Sequence, residues 1–146
     1  MIPIKYRSLK KYKYEILEEY RHRVCIHLPA NCSYLIPTCC QGFVGVCGTV
    51  GRSDKYKIIE IIVKPGYCYD GTSGPTIDTE NTMRGSLVHD VLYQMMRESV
   101  IPVGCVTYAD NLFHQILLED GMSRFRAWYY FQGVNNWFAH RYARPE

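Results

Sequence analysis

The chain changes its hydrophobic period about halfway along. Up to Val63 apolar residues alternate with polar ones or form short unbroken runs, whereas from Thr82 onward they recur every three or four positions. "KYKYEIL" alternates polar with aromatic or aliphatic residues, and "RVCIHL" resumes an apolar pattern beyond the charged "EEYR". These two segments are predicted to form a hairpin, after which Pro29, Asn31 and Pro37 interrupt. "QGFVGVCGTVG" sets four glycines among β-branched and apolar residues, which predicts a short strand with a bulge or a loop packed on another backbone. "YKIIEIIVKPG" is aliphatic on both sides of Glu60, as in a strand buried on both faces, and Pro65-Gly66 stops it.

The second half predicts helices. In "TMRGSLVHDVLYQMMRES", from Thr82 to Ser99, Leu87, Val88, Val91, Leu92 and Met95 fall at helical spacing, with Pro102 soon after. "TYADNLFHQILLEDG" predicts a helix capped by Thr107, striped by Leu112, Phe113, Ile116 and Leu117, and ended by Gly121. "SRFRAWYYFQGVNNWFAHRY" predicts a third, capped by Ser123, carrying Phe125, Trp128, Tyr129, Trp137 and Phe138, with Gly133 placed to break or kink it. Strands first and helices last predict an α+β fold, an N-terminal antiparallel β-sheet packed against about three C-terminal helices. With no linker, repeat or low-complexity tract, residues 1–146 are expected to form a single domain.

Composition narrows the function classes. The residues are 47% hydrophobic and 21% charged, which suits a globular protein, and 13 tyrosines against 5 phenylalanines mark aromatic positions with a hydrogen-bonded or wet edge. The net charge of +3 comes mostly from "KYRSLKK", "KYK" and "RHR" near the start. Basic residues interleaved with tyrosine can grip nucleic acid, but an exposed hairpin has the same pattern and no nucleic-acid signature follows, so nucleic acid is not the expected partner. No apolar run is long enough for a bilayer span, and the first fifteen residues lack the apolar core of a signal peptide. The expectation is a protein without membrane association, its seven cysteines reduced, in the cytoplasm. Among those cysteines only Cys39 and Cys40 are close, and vicinal thiols fit one tetrahedral zinc poorly.

Four polar residues lie against apolar stripes, where burial is costly unless they are paired: Asp70 in "GYCYDGTSGP", His89 and Asp90 inside a helix, and Asp110 near the start of the next. A histidine beside carboxylates is the minimal set for general acid-base chemistry, because a carboxylate fixes the imidazole tautomer and stabilises the imidazolium. The same set holds a divalent metal if three or more ligands converge, so a metal cofactor stays open. Tyr93 shares a helical face with His89, Tyr69 adjoins Asp70, and Ser73 follows in the same loop; these three are the candidate binding residues. Each group also has a structural reading. Asp110 can close a capping box with Thr107, His89 can bond a buried carbonyl, and Asp70-Gly71 can be a turn. Cys68, two residues before Asp70, would be a nucleophile only if an imidazolium or helix N-terminus lowered its pKa. His27, His89-Asp90 and Asp110 match, in order only, the ligand series of HD-type metal-dependent phosphohydrolases, whose first histidine comes from a helix whereas His27 is read on a strand.

The succession "KPGYCYDGTSGP", "VHDVLY", "YADNLFHQILLEDG" and "WYYFQGVNNW" resembles a family of phage and prophage proteins known as domain of unknown function 1353. Its members look like a strand leading to Pro-Gly-Phe-x-x-Asp-x-Ala-Ser-x-Pro, a helix with His-Asp-x-Leu-Tyr and a helix opening Ala-Asp-x-x-Phe. The resemblance covers about Val63 to Trp137 and falls on Asp70, Ser73, Pro75, His89, Asp90, Tyr93, Asp110 and Phe113. Thr72 and Gly74 depart from its pattern, and Cys68 sits at a variable position, which counts against a thiol mechanism. The resemblance implies a phage origin and a site location, with no assigned reaction. The expected function is a small phage-encoded hydrolase acting through His89, Asp90, Asp70 and Asp110 on phosphoesters or cell-wall amides. The alternative is a non-catalytic accessory or virion protein with a protein or nucleotide partner. Host cytoplasm or virion is the expected location, and a homo-oligomer stays open.

Overall fold

The computed structural model describes residues 4–8, 14–27, 44–52, 56–72 and 76–138. The fold is α+β, with strands β1 (Tyr6–Ser8), β2 (Tyr14–Ile16), β3 (Tyr20–His27), β4 (Val44–Arg52), β5 (Tyr56–Val63) and β6 (Cys68–Tyr69), followed by helices α1 (Glu80–Arg97), α2 (Val106–Glu119) and α3 (Arg124–Gly133). The strands form two antiparallel three-stranded sheets, ordered β1-β2-β6 and β3-β5-β4. β5, whose aliphatic residues flank Glu60, is the central strand of the second sheet, as its two-sided apolar pattern requires. β4 carries the expected bulges, with register shifts between Cys47 and Thr49 and between Thr49 and Gly51.

The predicted hairpin of "KYKYEIL" with "RVCIHL" does not form. β3 pairs along its whole length with β5, from Tyr20 opposite Val63 to His27 opposite Tyr56. β2 goes to the other sheet, where Ile16 N–H donates to Tyr67 O at 2.9 Å and Gly66 N–H donates to Ile16 O at 2.8 Å. The few polar residues after Ile16 therefore carry the chain from one sheet to the other, and the long aliphatic strand wins the contest for β3 because pairing there buries more apolar surface.

The core lies between strands and helices. Ile16, Val24, Ile61, Leu87, Val91, Leu92, Met96 and Ile116 are buried in one cluster, while Phe113, Leu117, Met122, Ala127 and Tyr130 form a second between α2 and α3. Every apolar position of the predicted α1 stripe is buried. Gly85 lets the two long helices approach, since a Cβ there would stand 3.2 Å from side-chain carbons of Leu117 and Phe113. Next to it, buried Arg84 donates through Nε to Asp120 Oδ2 at 3.0 Å and through a terminal nitrogen to Glu119 Oε2 at 2.8 Å. That pair joins the start of α1 to the end of α2.

The helix ends show local chemistry at work. Thr79 and Thr82 form a reciprocal capping box at the start of α1. α2 begins earlier than expected: a 3₁₀ turn at Val103–Cys105 leads straight into Val106, with Cys105 at the cap. Thr107 is consequently inside the helix and does not cap it. Gly121, at φ +84°, ends α2, and the Ser123 hydroxyl accepts from Arg126 N–H at 3.4 Å to start α3. Gly133 closes α3, and a π-helical turn, Val134–Phe138, follows.

The segment between β6 and α1 is held from both sides. Asp78 accepts from Tyr14 O–H at 2.9 Å and from Thr72 N–H at 3.0 Å, and also from the Thr72 hydroxyl. Tyr130 O–H donates to Ile77 O at 2.6 Å, and a terminal nitrogen of Arg126 donates to the same carbonyl at 3.0 Å. Gly71, at φ +73°, sits in the crowded centre, where a Cβ would stand 2.8 Å from a Tyr14 ring carbon and 2.9 Å from Asp78 Oδ2.

Two left-handed glycines thus differ in surroundings, because a Cβ at Gly121 would meet nothing within 4 Å. Gly121→Ala is expected to cost about 1–2 kcal/mol, the backbone term alone. Gly71→Ala should cost clearly more, since the Cβ also displaces Tyr14 or Asp78. Urea denaturation of both variants measures the difference, and equal costs would show that the Asp78 knot is loose.

Candidate functional site

α1 and α2 present the site to one another. On α1, His89 and Tyr93 are four residues apart and therefore stand one above the other on the same face. On α2, Asp110 lies one turn in from the N-terminus and points at that face. His89 Nε2 and Asp110 Oδ1 are 2.9 Å apart, and Tyr93 O–H donates to the same oxygen at 2.8 Å. The Asp110 side chain is 1% exposed and that of His89 11%. A carboxylate so enclosed is tolerable only with strong donors, and these two supply them. Asp110 Oδ2, also buried, has no hydrogen-bond partner among the described residues.

An ionised carboxylate only accepts, so the proton between His89 and Asp110 belongs to Nε2. The imidazole lone pair is then on Nδ1, which lies 3.9 Å from Asp90 Oδ1. The ring is packed against Tyr93 and Phe113, with centroids 4.2 Å and 5.3 Å away, so its plane is fixed. Burial disfavours the imidazolium, but the hydrogen bond to Asp110 and the nearby Asp90 outweigh it and hold the His89 pKa above its usual 6.5. Asp90 is pushed above the ordinary carboxylate range, chiefly by burial and further by the charge of Asp70, against the pull of His89. Its side chain is still 33% exposed, so it forms the open side of the group.

The other candidate residues fall around this centre unevenly. Asp70 is exposed on the loop after β6 and acts on Asp90 as a neighbouring charge. Tyr69 is buried, and its hydroxyl has no partner among the described residues. Burial first, and the charge of Asp90 next, push that hydroxyl well above the usual phenol range. Ser73 lies outside the described residues. Cys68, beside Tyr69 on a two-residue strand, faces the other way, and its thiol donates to Gly66 O at 3.4 Å. His27 is the last residue of β3, a strand position as expected. Asp110 does not cap its helix; its carboxylate spans to α1 instead. A cavity of about 440 Å³ lies between β3 and α2, lined by residues that include His22, Tyr108 and Gln115, and none of the four candidate catalytic residues borders it.

Among the described residues no group of three or more histidine, cysteine, aspartate or glutamate side chains is placed to hold a metal ion. Two polar knots were absent from the sequence reading. Arg84 stands three and four residues before Leu87 and Val88 on the buried face of α1, and a cation in that stripe was a signal that an acidic partner had to exist. Asp78 lies just before a helix, and its reach to Tyr14, sixty-four residues away, left no local signal.

No helix among the described residues is long and apolar enough to cross a membrane. No curated protein and no solved structure is significantly similar to the chain. Residues 49–134 match the model of a family described as "Protein of unknown function (DUF1353)". That span runs from β4 into the π-helical turn after α3 and takes in Tyr69, Asp70, His89, Asp90, Tyr93 and Asp110. It covers more than half of the sequence, and the protein belongs to the DUF1353 family.

Proposed function

We propose that the protein is a small phage-encoded hydrolase in which His89, oriented by Asp110, moves the proton of an attacking water. One observation carries this reading: an imidazole whose Nε2 is bonded to a buried carboxylate at 2.9 Å while its Nδ1 is turned toward the more open Asp90. A buried carboxylate and an oriented histidine whose second nitrogen is turned toward Asp90 make a general base with a fixed tautomer. Nδ1 takes the proton from water as the new bond to the substrate forms, and returns it to the leaving group. Asp90 stabilises the imidazolium in between. The resemblance to phage and prophage proteins supports the source, with host cytoplasm or virion as the place of action. The chemistry uses the imidazole; a divalent metal among the carboxylates would need further ligands beyond the described residues.

A second reading is favoured by the double occupancy of Asp110 Oδ1. Two donors from α1 on one buried oxygen also describe a structural clamp, as in a non-catalytic accessory or virion protein. The exposed Phe125, Trp128 and Tyr129 of α3 would then serve a protein partner.

Substitution separates the two. His89→Gln keeps a donor for Asp110 and loses the titratable nitrogen. A catalytic role gives a loss of hydrolysis by about 10²–10⁴-fold with melting temperature little changed. A clamp gives an inactive wild type and a His89→Ala variant weakened by about 1.5–3 kcal/mol, the value of a hydrogen bond to a charged group.

Stability should also follow pH in a definite direction. The groups facing His89 are Asp110 from α2 and Asp90 and Tyr93 from α1, while Asp90 in turn feels the charges of Asp70 and Arg97. The folded pKa of His89 is raised, so its contribution is complete below the unfolded value of 6.5 and is lost as pH rises through the folded value. Asp90, also raised, acts in the same sense: its ionisation in the fold disfavours the folded state as pH climbs past 3.8 and through the folded value. The stability advantage of wild type over His89→Gln should therefore be largest in mild acid and shrink toward alkaline pH. Paired thermal melts across that range check the sign, and a growing advantage would contradict it.

A further inference from the structure

We infer that the groove between β3 and α2 binds an extended peptide, which adds to the outer edge of β3 as a further strand and alternates apolar with acidic residues. The groove is separate from the His89 group, since none of the four candidate catalytic residues borders it. β3 is the outer strand in the order β3-β5-β4, so one of its edges is turned to β5 and the other away. In an antiparallel ladder successive residues direct their N–H and C=O groups alternately toward the partner strand and away from it. Cys25 N–H donates to the Tyr108 hydroxyl at 2.9 Å, which fixes the phase of that alternation. Cys25 turns its backbone groups away from β5, and Arg21 and Arg23, at the same parity, do so too. Among the described residues nothing bonds the N–H or C=O of Arg21 or Arg23. The cavity shows that there is room beside this edge: it measures about 440 Å³, a volume usual for a ligand site, and Arg23 and Cys25 border it.

The second wall is one face of α2. From Tyr108 to Glu119 that face runs for about 16 Å, the length of about five residues of extended chain. A strand bonded to Arg21 and Arg23 points alternate side chains toward α2 and away from it. Toward α2 they meet an apolar floor of Leu112 and Ile116, with the exposed amides of Asn111 and Gln115 at the rim, so that side takes apolar residues. On the outer face stands Arg23, whose side chain is 69% exposed and whose Nε lies 3.5 Å from Glu60, its neighbour across the ladder on β5. Glu60 also accepts from a terminal nitrogen of Arg21 at 3.2 Å, so one carboxylate serves two arginines. A carboxylate on the incoming strand, beside Arg23, gives that guanidinium a partner of its own, because opposite charges on neighbouring strands attract. Strand addition supplies the affinity through the backbone groups, and the floor and Arg23 select the side chains.

The test uses the full chain and a fluorescein-labelled peptide, Gly-Val-Glu-Val-Glu-Val-Gly, with binding read by fluorescence anisotropy. Three controls accompany it: the same peptide N-methylated throughout, which keeps its side chains and loses its ladder donors, a copy with lysine for glutamate, and the Asn111→Trp protein, in which an exposed α2 position fills the groove. Saturable binding that weakens at least about tenfold in each control is expected, with slower hydrogen exchange of the Arg21 and Arg23 amides when the parent peptide is added. Equal binding of the N-methylated copy, or no change at those two amides, would overturn strand addition. Equal or tighter binding of the lysine copy would overturn the acidic assignment, and no binding of the parent peptide at millimolar concentration would overturn the site. Slow exchange of the same amides in the protein alone would show the edge already taken, by a second copy if it grows with concentration and by this chain's own residues if it does not, and would also overturn it.

Discussion

A buried carboxylate on α2 bridges to two donors on α1, and the candidate site is organised by that bridge. Asp110 is almost wholly removed from water, yet His89 and Tyr93 both end on one of its oxygens. Removing a charge from solvent is expensive, and the expense is met only while both helices keep their spacing and rotation. The carboxylate thereby fixes the histidine ring as firmly as the ring fixes the carboxylate. The far nitrogen of the imidazole is directed toward the more open Asp90, 3.9 Å away.

The rest of the fold secures that spacing. Gly85 sets how closely α1 and α2 pack, and the Arg84 ion pair pins the start of one to the end of the other. The loop bearing Asp70 is secured independently, by Asp78 against β2 and by Arg126 and Tyr130 against α3. Both faces of the site are thus set by polar contacts between elements distant in sequence, and the apolar core alone would leave them free to slide.

How much of this was legible follows from the range of each interaction. The stripe Leu87, Val88, Val91, Leu92, Met95 announced α1 because helical periodicity is local, and His89 and Tyr93 could be put on one face by spacing alone. β5 announced itself as a central strand by its aliphatic residues on both faces. Which strand pairs with which was not legible. "KYKYEIL" and "RVCIHL" look like hairpin partners, and only the competition of β5 and β6 for them, decided by burial across the whole fold, sends them to different sheets. Thr107 looked like a cap because the 3₁₀ turn ahead of α2 has no sequence mark of its own. Asp110 was legible as a candidate, but its partner was not, since nothing local distinguishes a capping carboxylate from one that reaches across to another helix.

The most direct measurement is an NMR titration of the His89 ring protons in the wild type and in Asp110→Asn. If the buried carboxylate holds the imidazole as described, His89 titrates above its ordinary value of 6.5 in the wild type and shifts downward when Asp110 loses its charge. A wild-type value at or below 6.5, or one indifferent to the substitution, would contradict the arrangement on which the site depends.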